Sequence, residues 1–403
     1  MRVLIADQFE ASGIEKLREA GCDVVYEPKL EGEALREAVA TTPCRVLIVR
    51  STQVTKDVIE AGDSLGLIVR AGAGVNTIDT TAASKHSVLV ANCPGKNAVA
   101  VAELTFGLIL ALDRRIVENV VDLRHGTWNK KEYAQARGLK GRTLGIIGLG
   151  QIGEAVADRA KAFEMKVVAW SRSLTAACAE ELSVERAATP AAVAAHCDVL
   201  TIHLAAAPET RKLVNAEVLE QLKPGALVIN TARAEVMDYD ALARIMVDKR
   251  LRVGLDVFAN EPPGSQGEFA DAIVKAGGLV YGTHHIGAST EQAQAAIAEE
   301  TVQIVVEYQR TGRARHCVNL CARSPARYLL SVRHVNKPGV LAHALGAISD
   351  ANVNVEEMEN VICEGREAAV AQIKLDAALS DSVLKTIKGD NPYVIGVTQT
   401  RIV

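Results

Sequence analysis

Thr143-Leu144-Gly145-Ile146-Ile147-Gly148-Leu149-Gly150-Gln151-Ile152-Gly153 is the stretch on which the fold turns. An apolar run that reads as a strand meets the pattern G-x-G-x-x-G. A helical run follows, with Ile152, Val156, Ala160 and Phe163 at three- to four-residue spacing. Such glycines are weak evidence alone and strong evidence between a strand and a helix, because each then has a task. Gly148 makes the tight turn, Gly150 lets backbone approach a pyrophosphate, and Gly153 packs helix against strand. The helix start at Gln151 and Ile152 offers free N–H groups to the phosphates. The segment predicts a dinucleotide-binding domain; a purely structural strand-to-helix turn is the alternative.

Outward from it, 144–147, 166–170, 199–204, 226–230, 253–258 and 279–282 read as strands separated by alanine-rich helical segments, a doubly wound parallel sheet. Upstream, short apolar runs at 3–6, 46–49, 67–69 and 88–91, with a helical pattern at 14–20, read as a second parallel sheet covered on both faces. Between them an unusually apolar helix is expected from about 99 into the 120s, buried at a domain or subunit contact. A helix at 290–309 runs into what reads as a linker, Thr311-Gly312-Arg313-Ala314-Arg315. Beyond 326 the order becomes strand (328–333), helix (339–350), two strands (353–361, 368–375), helix (380–388) and strand (393–402). The expected class is α/β: two doubly wound, Rossmann-like domains and a C-terminal ferredoxin-like βαββαβ module.

Composition narrows the partners. The 403 residues are 49% hydrophobic and 23% charged, which excludes disorder, and the net charge of -4 gives no general attraction for nucleic acid or an acidic membrane. The opening MRVLIADQFE meets an acid too soon for a signal peptide, and no later stretch is long and apolar enough to span a bilayer. The eight cysteines form no C-x-x-C pair, so reduced thiols in a cytoplasmic protein are expected. His316, Cys317 and Cys321 lack a second ligand pair at zinc spacing, and no metal is expected there.

The end of the strand after the glycines selects between NAD and NADP. A carboxylate there usually holds the NAD ribose, but this chain has Ser171-Arg172-Ser173. An arginine flanked by hydroxyls suits a 2′-phosphate, so the reading leans to NADP. Arg172 stacked on adenine or turned to solvent would leave NAD open.

Three further blocks resemble a family. Residues 230–238 (NTARAEVMD), 254–262 (GLDVFANEP) and 283–290 (THHIGAST) resemble the N-T-A-R-G, D-V-F-x-x-E-P and T-P-H-I-G-x-x-T blocks of the D-isomer-specific 2-hydroxyacid dehydrogenases, in family order after the glycine turn. Ala234 stands for the usual glycine and His284 for the usual proline; neither change removes a reacting group. The resemblance implies that Arg233 holds the substrate carboxylate and carbonyl. It implies that His285 exchanges the hydroxyl proton and that Glu261 hydrogen-bonds its imidazole and favours the protonated form. Asp256 would hold the nicotinamide end of the cofactor, with His203, Ala232 and Gly287 as further cofactor contacts. Arg70-Ala71-Gly72-Ala73-Gly74-Val75-Asn76-Thr77-Ile78-Asp79 resembles the family's R-A-G-x-G-V-D-N-V-D loop, whose amides at Ala73, Gly74 and Val75 would receive the carboxylate. Arg50 and Ser51 match a phosphate-reaching pair of one branch, and Asn97 a substrate contact. Lys130, in Trp128-Asn129-Lys130, matches a lysine that approaches a neighbouring subunit's site. The bland alternative for these arginines and lysines is a solvated surface.

His334-Val335-Asn336-Lys337-Pro338-Gly339-Val340-Leu341 and Val353-Asn354-Val355 resemble an ACT regulatory domain. In the branch that oxidises 3-phospho-D-glycerate to 3-phosphohydroxypyruvate, the positions matching His334, Asn336 and Asn354 hold L-serine between two paired modules. A simple turn before a helix would explain Asn336 but not Asn354. The resemblance spans essentially the whole chain. It implies a substrate-binding domain of 1–95 with 288–318, a dinucleotide-binding domain of 96–287 and an ACT domain of 327–403, in a homodimer or homotetramer. The rivals are a glyoxylate or hydroxypyruvate reductase of the same family, and a non-catalytic dinucleotide-sensing protein.

Overall fold

Short runs of branched apolar residues without a polar break make strands buried on both faces. In the computed structural model, which describes residues 1–262, 266–321 and 323–402, five such runs form the first sheet. They are β1 (Arg2–Ile5), β2 (Asp23–Tyr26), β3 (Val46–Val49), β4 (Leu67–Arg70) and β5 (Leu89–Asn92), all parallel, in the order β2-β1-β3-β4-β5. Strand periodicity divides their side chains: Val3, Ile5, Ile48 and Val69 enter one apolar cluster, and Leu4, Leu47, Val49 and Ile68 the other.

The second sheet contains β6 (Thr143–Ile147), β7 (Lys166–Trp170), β8 (Glu185–Arg186), β9 (Val199–Ile202), β10 (Leu227–Asn230), β11 (Arg252–Leu255) and β12 (Leu279–Gly282). It is parallel throughout, in the order β12-β11-β10-β9-β6-β7-β8. The order reverses between β6 and β9, where open α/β sheets bind ligands beyond their carboxyl ends.

Several elements differ from the sequence reading. β2 is an additional strand; it is a half-exposed edge of four residues flanked by polar positions, so no apolar run announced it. The long apolar helix is two helices. Ala98–Arg114 ends at Arg115, which takes a left-handed φ of 51°, and Ile116–Arg124 follows with no buried residue. The break coincides with a buried pair: Arg142 donates to Asp113 (2.9 Å), and Asp113 also accepts from the Gly138 N–H (3.0 Å), which ties the end of the first helix beneath β6. β9 and β11 stop at Ile202 and Leu255, short of the expected 204 and 258, because the chain leaves the sheet there to form loops. The expected linker at 311–315 is mostly anchored. Glu291–Thr311 is capped by Gly312 (φ 70°), and the chain then returns antiparallel to β5. Asn92 N–H donates to His316 O, Val318 N–H to Val90 O, and Asn319 pairs with backbone groups of Val88 and Val90. This seam covers the exposed edge of the first sheet.

Met1–Asn319 forms one compact unit and Leu320–Val403 a second. The second holds an antiparallel sheet of β13 (Tyr328–Val335), β14 (Val355–Ile362), β15 (Ala368–Leu375) and β16 (Val394–Arg401), in the order β14-β15-β13-β16. With helices Val340–Asp350 and Asp381–Gly389 it is a βαββαβ module around Leu330, Val332, Ala344, Ile348, Ile373 and Ile387. Among the described residues no helix is long and apolar enough to cross a membrane.

The Asp113–Arg142 pair yields a stability prediction. Removing one member strands a buried charge, so Asp113→Ala should cost about 3–5 kcal/mol. Adding Arg142→Met should restore much of that loss, as read by urea unfolding of both variants.

Candidate active site

The glycine turn has the geometry its sequence promised. Gly148 (φ 98°) lies so close to β9 that a Cβ would stand 2.4 Å from His203 O, and a Cβ on Gly153 would stand 2.4 Å from Gly148 O. Gly150, by contrast, faces open space, with nothing within 4 Å of a Cβ position. The helix Gln151–Ala162 begins directly after it. A bare backbone cradle at a helix N-terminus fits a pyrophosphate. Beside it His203 is half-buried: its Nε2 meets the Thr201 hydroxyl (2.9 Å), while its buried Nδ1 lacks a partner among the described residues. Trp170 O accepts from the Gly148 N–H (2.8 Å), which sets the end of β7 against the turn. Ser171 there is half-buried, and Arg172 and Ser173 are exposed. These residues fit a dinucleotide. Gln151 reaches over Gly95, where a Cβ would meet its Oε1, and so touches the segment crossing between the two sheets.

The reacting groups sit at the ends of β10, β11 and β12. Asn230 accepts from the Ala232 N–H (3.0 Å) and donates to Arg233 O (2.9 Å), shaping a turn that leaves Ala232 buried and projects Arg233. Arg233 reaches the first sheet's loop: its Nη2 lies 2.9 Å from a Cβ position on Gly74. In that loop the N–H groups of Ala73, Gly74 and Val75 donate to nothing among the described residues, which leaves them for an anion. His285 Nδ1 meets Glu261 Oε2 at 2.8 Å. Burial works against the Glu261 carboxylate, but hydrogen bonds from His285 and the Phe258 N–H outweigh it and hold the carboxyl below its usual range. His284 is exposed and His285 takes φ 53°, a left-handed turn that separates the two imidazoles.

Asp256, expected at the nicotinamide end of the cofactor, also fixes a neighbouring loop. Only 1% exposed, it accepts from the Thr283 hydroxyl (2.6 Å) and from the N–H groups of Ile286 (2.9 Å) and Gly287 (2.8 Å). Its carboxylate is taken up by the loop that carries His285, which makes it a positioning residue. Two other residues had no sequence signal for their roles. Tyr239 donates to Val257 O (2.7 Å) and binds Asn230, stitching the Arg233 turn to the end of β11. Asp7 accepts from the N–H groups of Arg50 (2.6 Å), Ser51 (3.1 Å) and Thr52 (3.0 Å) and from the Ser51 hydroxyl (3.0 Å). It thereby fixes the loop expected to reach a phosphate. Only proximity in the fold reveals such roles. Asn97 stands at the start of helix Ala98–Arg114 with its buried Oδ1 unpaired among the described residues. Lys130 is exposed and is not gathered with the others.

The C-terminal trio is not brought together within one chain. His334, 1% exposed, meets Val335 O (2.8 Å) and Asn360 Oδ1 (3.1 Å). Asn336, just beyond it, donates to Arg366 O (3.0 Å). Asn354 lies at the other end of the sheet, where its N–H donates to Asp376 and its amide to Glu356. β13 and β15 pair over eight residues between the two ends, roughly 24 Å. His316 and Cys317 are engaged with Glu300 and Asn319, and no group of three or more ligating side chains occurs among the described residues.

Burial without a counter-charge pushes the His203 pKa down from 6.5 to about 3. The unfolded chain therefore binds a proton that the folded chain refuses between those values. Stability should fall as pH drops from 6.5 towards 3, by up to about 1.4 kcal/mol per pH unit from this residue. Thermal unfolding of wild type and His203→Gln from pH 7 to 4 checks this, with the variant expected to fall less steeply.

Comparison with known proteins agrees with this geometry. The family profile "D-isomer specific 2-hydroxyacid dehydrogenase, NAD binding domain" matches residues 106–287. A D-3-phosphoglycerate dehydrogenase of Methanocaldococcus jannaschii is 32% identical over 93% of this chain and 67% of its own length. A hydroxypyruvate reductase of Thermotoga maritima is 40% identical over 64% of this chain and 82% of its own. Among solved structures, NAD+-bound 3-phosphoglycerate dehydrogenase of Entamoeba histolytica superposes with a TM-score of 0.66 at 26% identity, covering 79% of this chain and 99% of that one. The chain spans about two thirds of the length of the phosphoglycerate dehydrogenases it matches, 63% for that of Rattus norvegicus. Identity at this level, sustained through both parallel sheets, goes beyond a shared fold: the chain belongs to the D-isomer specific 2-hydroxyacid dehydrogenase family.

Proposed function

We propose that the chain oxidises 3-phospho-D-glycerate to 3-phosphohydroxypyruvate, as a D-3-phosphoglycerate dehydrogenase of serine biosynthesis. The observation that carries the reading is the His285–Glu261 pair at 2.8 Å, on the same cleft as Arg233 and the free amides of 73–75. Residues 1–95 and 288–318 serve as the substrate-binding domain, 96–287 as the dinucleotide-binding domain and 327–403 as an ACT domain. The amides of Ala73, Gly74 and Val75 receive the substrate carboxylate, and Arg233 holds carboxylate and reacting oxygen together. Glu261 occupies Nδ1 of His285, so Nε2 takes the hydroxyl proton in oxidation and returns it in reduction. Arg50, Ser51 and Asn97 contact the rest of the substrate, and closure of the cleft excludes water. Gly148, Gly150, Gln151, Ile152 and Gly153 would hold the pyrophosphate, with Ser171, Arg172, Ser173, His203, Ala232 and Gly287 along the remainder. The nicotinamide, when bound, supplies the hydride acceptor or donor. The absence of an acid in Ser171-Arg172-Ser173 leans the reading to NADP, while the exposure of Arg172 leaves NAD open.

A second reading, reduction of hydroxypyruvate or glyoxylate, is favoured by the Thermotoga maritima relative. The C-terminal module favours the first. His334 and Asn336 of one module would meet Asn354 of another, with L-serine between them, since the ends are too far apart within one sheet. Helix Ile116–Arg124 supplies a surface for a second copy: Ile116, Val117, Val120, Val121 and Leu123 are exposed, as is Trp128 at 80%. Lys130 follows directly and would enter the neighbour's site. Exposed apolar area of this kind marks an association surface.

Initial rates with phosphohydroxypyruvate, hydroxypyruvate and glyoxylate, using NADH and NADPH with and without L-serine, test the reading. Turnover of the phosphorylated substrate that falls with serine is expected, with NADPH the better donor. Turnover of the unphosphorylated acids alone would establish the second reading. Light scattering should give at least a dimer, and Val121→Asp should shift the mass towards that of a monomer.

A further inference from the structure

The chain passes from the first sheet to the second through Cys93-Pro94-Gly95-Lys96-Asn97, between β5 and the helix Ala98–Arg114. That helix packs on the second sheet, where Phe106, Ile109 and Leu112 share a cluster with Leu144 and Ile146. The helix Glu291–Thr311 packs on the first, with Ile297, Val302 and Val305 in a cluster with Val3, Ile5 and Val69. The crossing segment is attached to both bodies. On the first-sheet side Cys93 Sγ meets the Thr301 hydroxyl (3.4 Å), and one residue away Glu300 Oε2 pairs with Lys96 Nζ (2.9 Å). On the other side Gln151 lies over Gly95, whose φ of 74° and missing Cβ leave room for it.

Glu300 is a carboxylate only 7% exposed, on a helix packed against apolar strands. Burial works against its charge, but Lys96, with His316 and Arg315 behind it, outweighs that and holds the carboxyl below its usual range. His316 Nε2 stands 3.1 Å from Oε1 without hydrogen-bond alignment, and Arg315, at 3.9 Å, is already engaged with Glu307 (2.6 Å). Lys96 is therefore its principal partner. A buried carboxylate is costly unless paired, so it holds Lys96 firmly. Asn97, the next residue, has no such hold. Its side chain makes no capping bond, and its buried Oδ1 is unpaired among the described residues. The backbone before it sets its place.

We infer that Lys96 is a positioning residue for the substrate: its ion pair with Glu300, opposed by Gln151 across Gly95, sets where Asn97 stands in the cleft. The inference deepens the proposed function and rests on its placement of the substrate at Asn97. Among the described residues neither Lys96 nor Glu300 pairs with Arg233, Glu261 or His285, so the pair acts on binding rather than on proton transfer. Gln151 opens the helix that offers its N–H groups to the cofactor. A cofactor that fixes Gln151 therefore steadies the crossing segment from its second side, and Asn97 is ordered before the acid arrives.

Lys96→Met removes the charge from a side chain that is 38% exposed, a change the fold should tolerate. We expect KM for the 2-oxo acid that wild type turns over to rise about tenfold, with kcat and the cofactor Kd nearly unchanged. Glu300→Gln should do the same, and the double variant should lose no more than either alone, as a shared interaction requires. Lys96→Arg, which keeps the ion pair, should restore most of the loss. Hydrogen exchange needs no turnover: NADH or NADPH should protect the amides of residues 95–98 in wild type and protect them less in Lys96→Met. An unchanged KM in Lys96→Met, additive losses in the double variant or no rescue by Lys96→Arg would overturn the role and leave the pair a structural one. A wild type that turns over no 2-oxo acid defeats the proposed function, and exchange alone then judges whether Lys96 orders the segment. Equal protection in the two proteins, or none in either, overturns that as well.

Discussion

Strands buried on both faces have no free side chains to offer, and this constraint places the chemistry of the first unit. Within β3, β4, β6, β9, β10 and β11 nearly every residue is enclosed by apolar neighbours. Functional groups are therefore displaced to the carboxyl ends, where parallel strands all open in one direction. Arg50 follows β3, Arg70 closes β4 and Gly148 follows β6. Ser171 follows β7, His203 follows β9, Arg233 and Asp256 follow β10 and β11, and His285 follows β12. Two sheets that meet across a crossing helix, Ala98–Arg114, then bring two such ends to one cleft.

Within the cleft the acids and bases are treated differently. Asp7 and Asp256 are each surrounded by backbone N–H groups and fix the loops that carry Arg50 and His285. Glu261 accepts from Phe258 and pairs with His285. The negative charge is thereby neutralised in building the site, while Arg70 and Arg233 stay available. A chain with a net charge of -4 presents a locally cationic cleft, which suits an anionic substrate better than any overall charge could.

The second unit follows other rules. An antiparallel sheet with helices on one face leaves the other face and the edge strands open. His334 is fixed inside its sheet by Asn360, and Asn354 stands at the opposite end. One copy of the module gathers two of the three residues that the resemblance connects with an amino-acid effector, so pairing of modules becomes a structural requirement for such a site.

Much of this was legible in the chain. The glycine turn, the parallel alternation and the three blocks around Arg233, Glu261 and His285 are local patterns, and local patterns survive folding because strand and turn chemistry act over a few residues. The break at Arg115 was not legible: apolar residues continue across it, and a buried Asp113–Arg142 pair, 29 positions apart, lies at the break. The edge strand β2 and the seam of 316–319 against β5 depend on neighbours rather than on their own composition. The task of Asp256 shows the division most clearly. Its position in the D-V-F block came from sequence, but its carboxylate accepts hydrogen bonds from residues 27 to 31 positions away. Sequence alone determined which chemical groups the protein possesses and which strand end carries each. Tertiary structure alone decided which charges are neutralised and which remain free, because neutralisation depends on distances between segments that the chain keeps far apart.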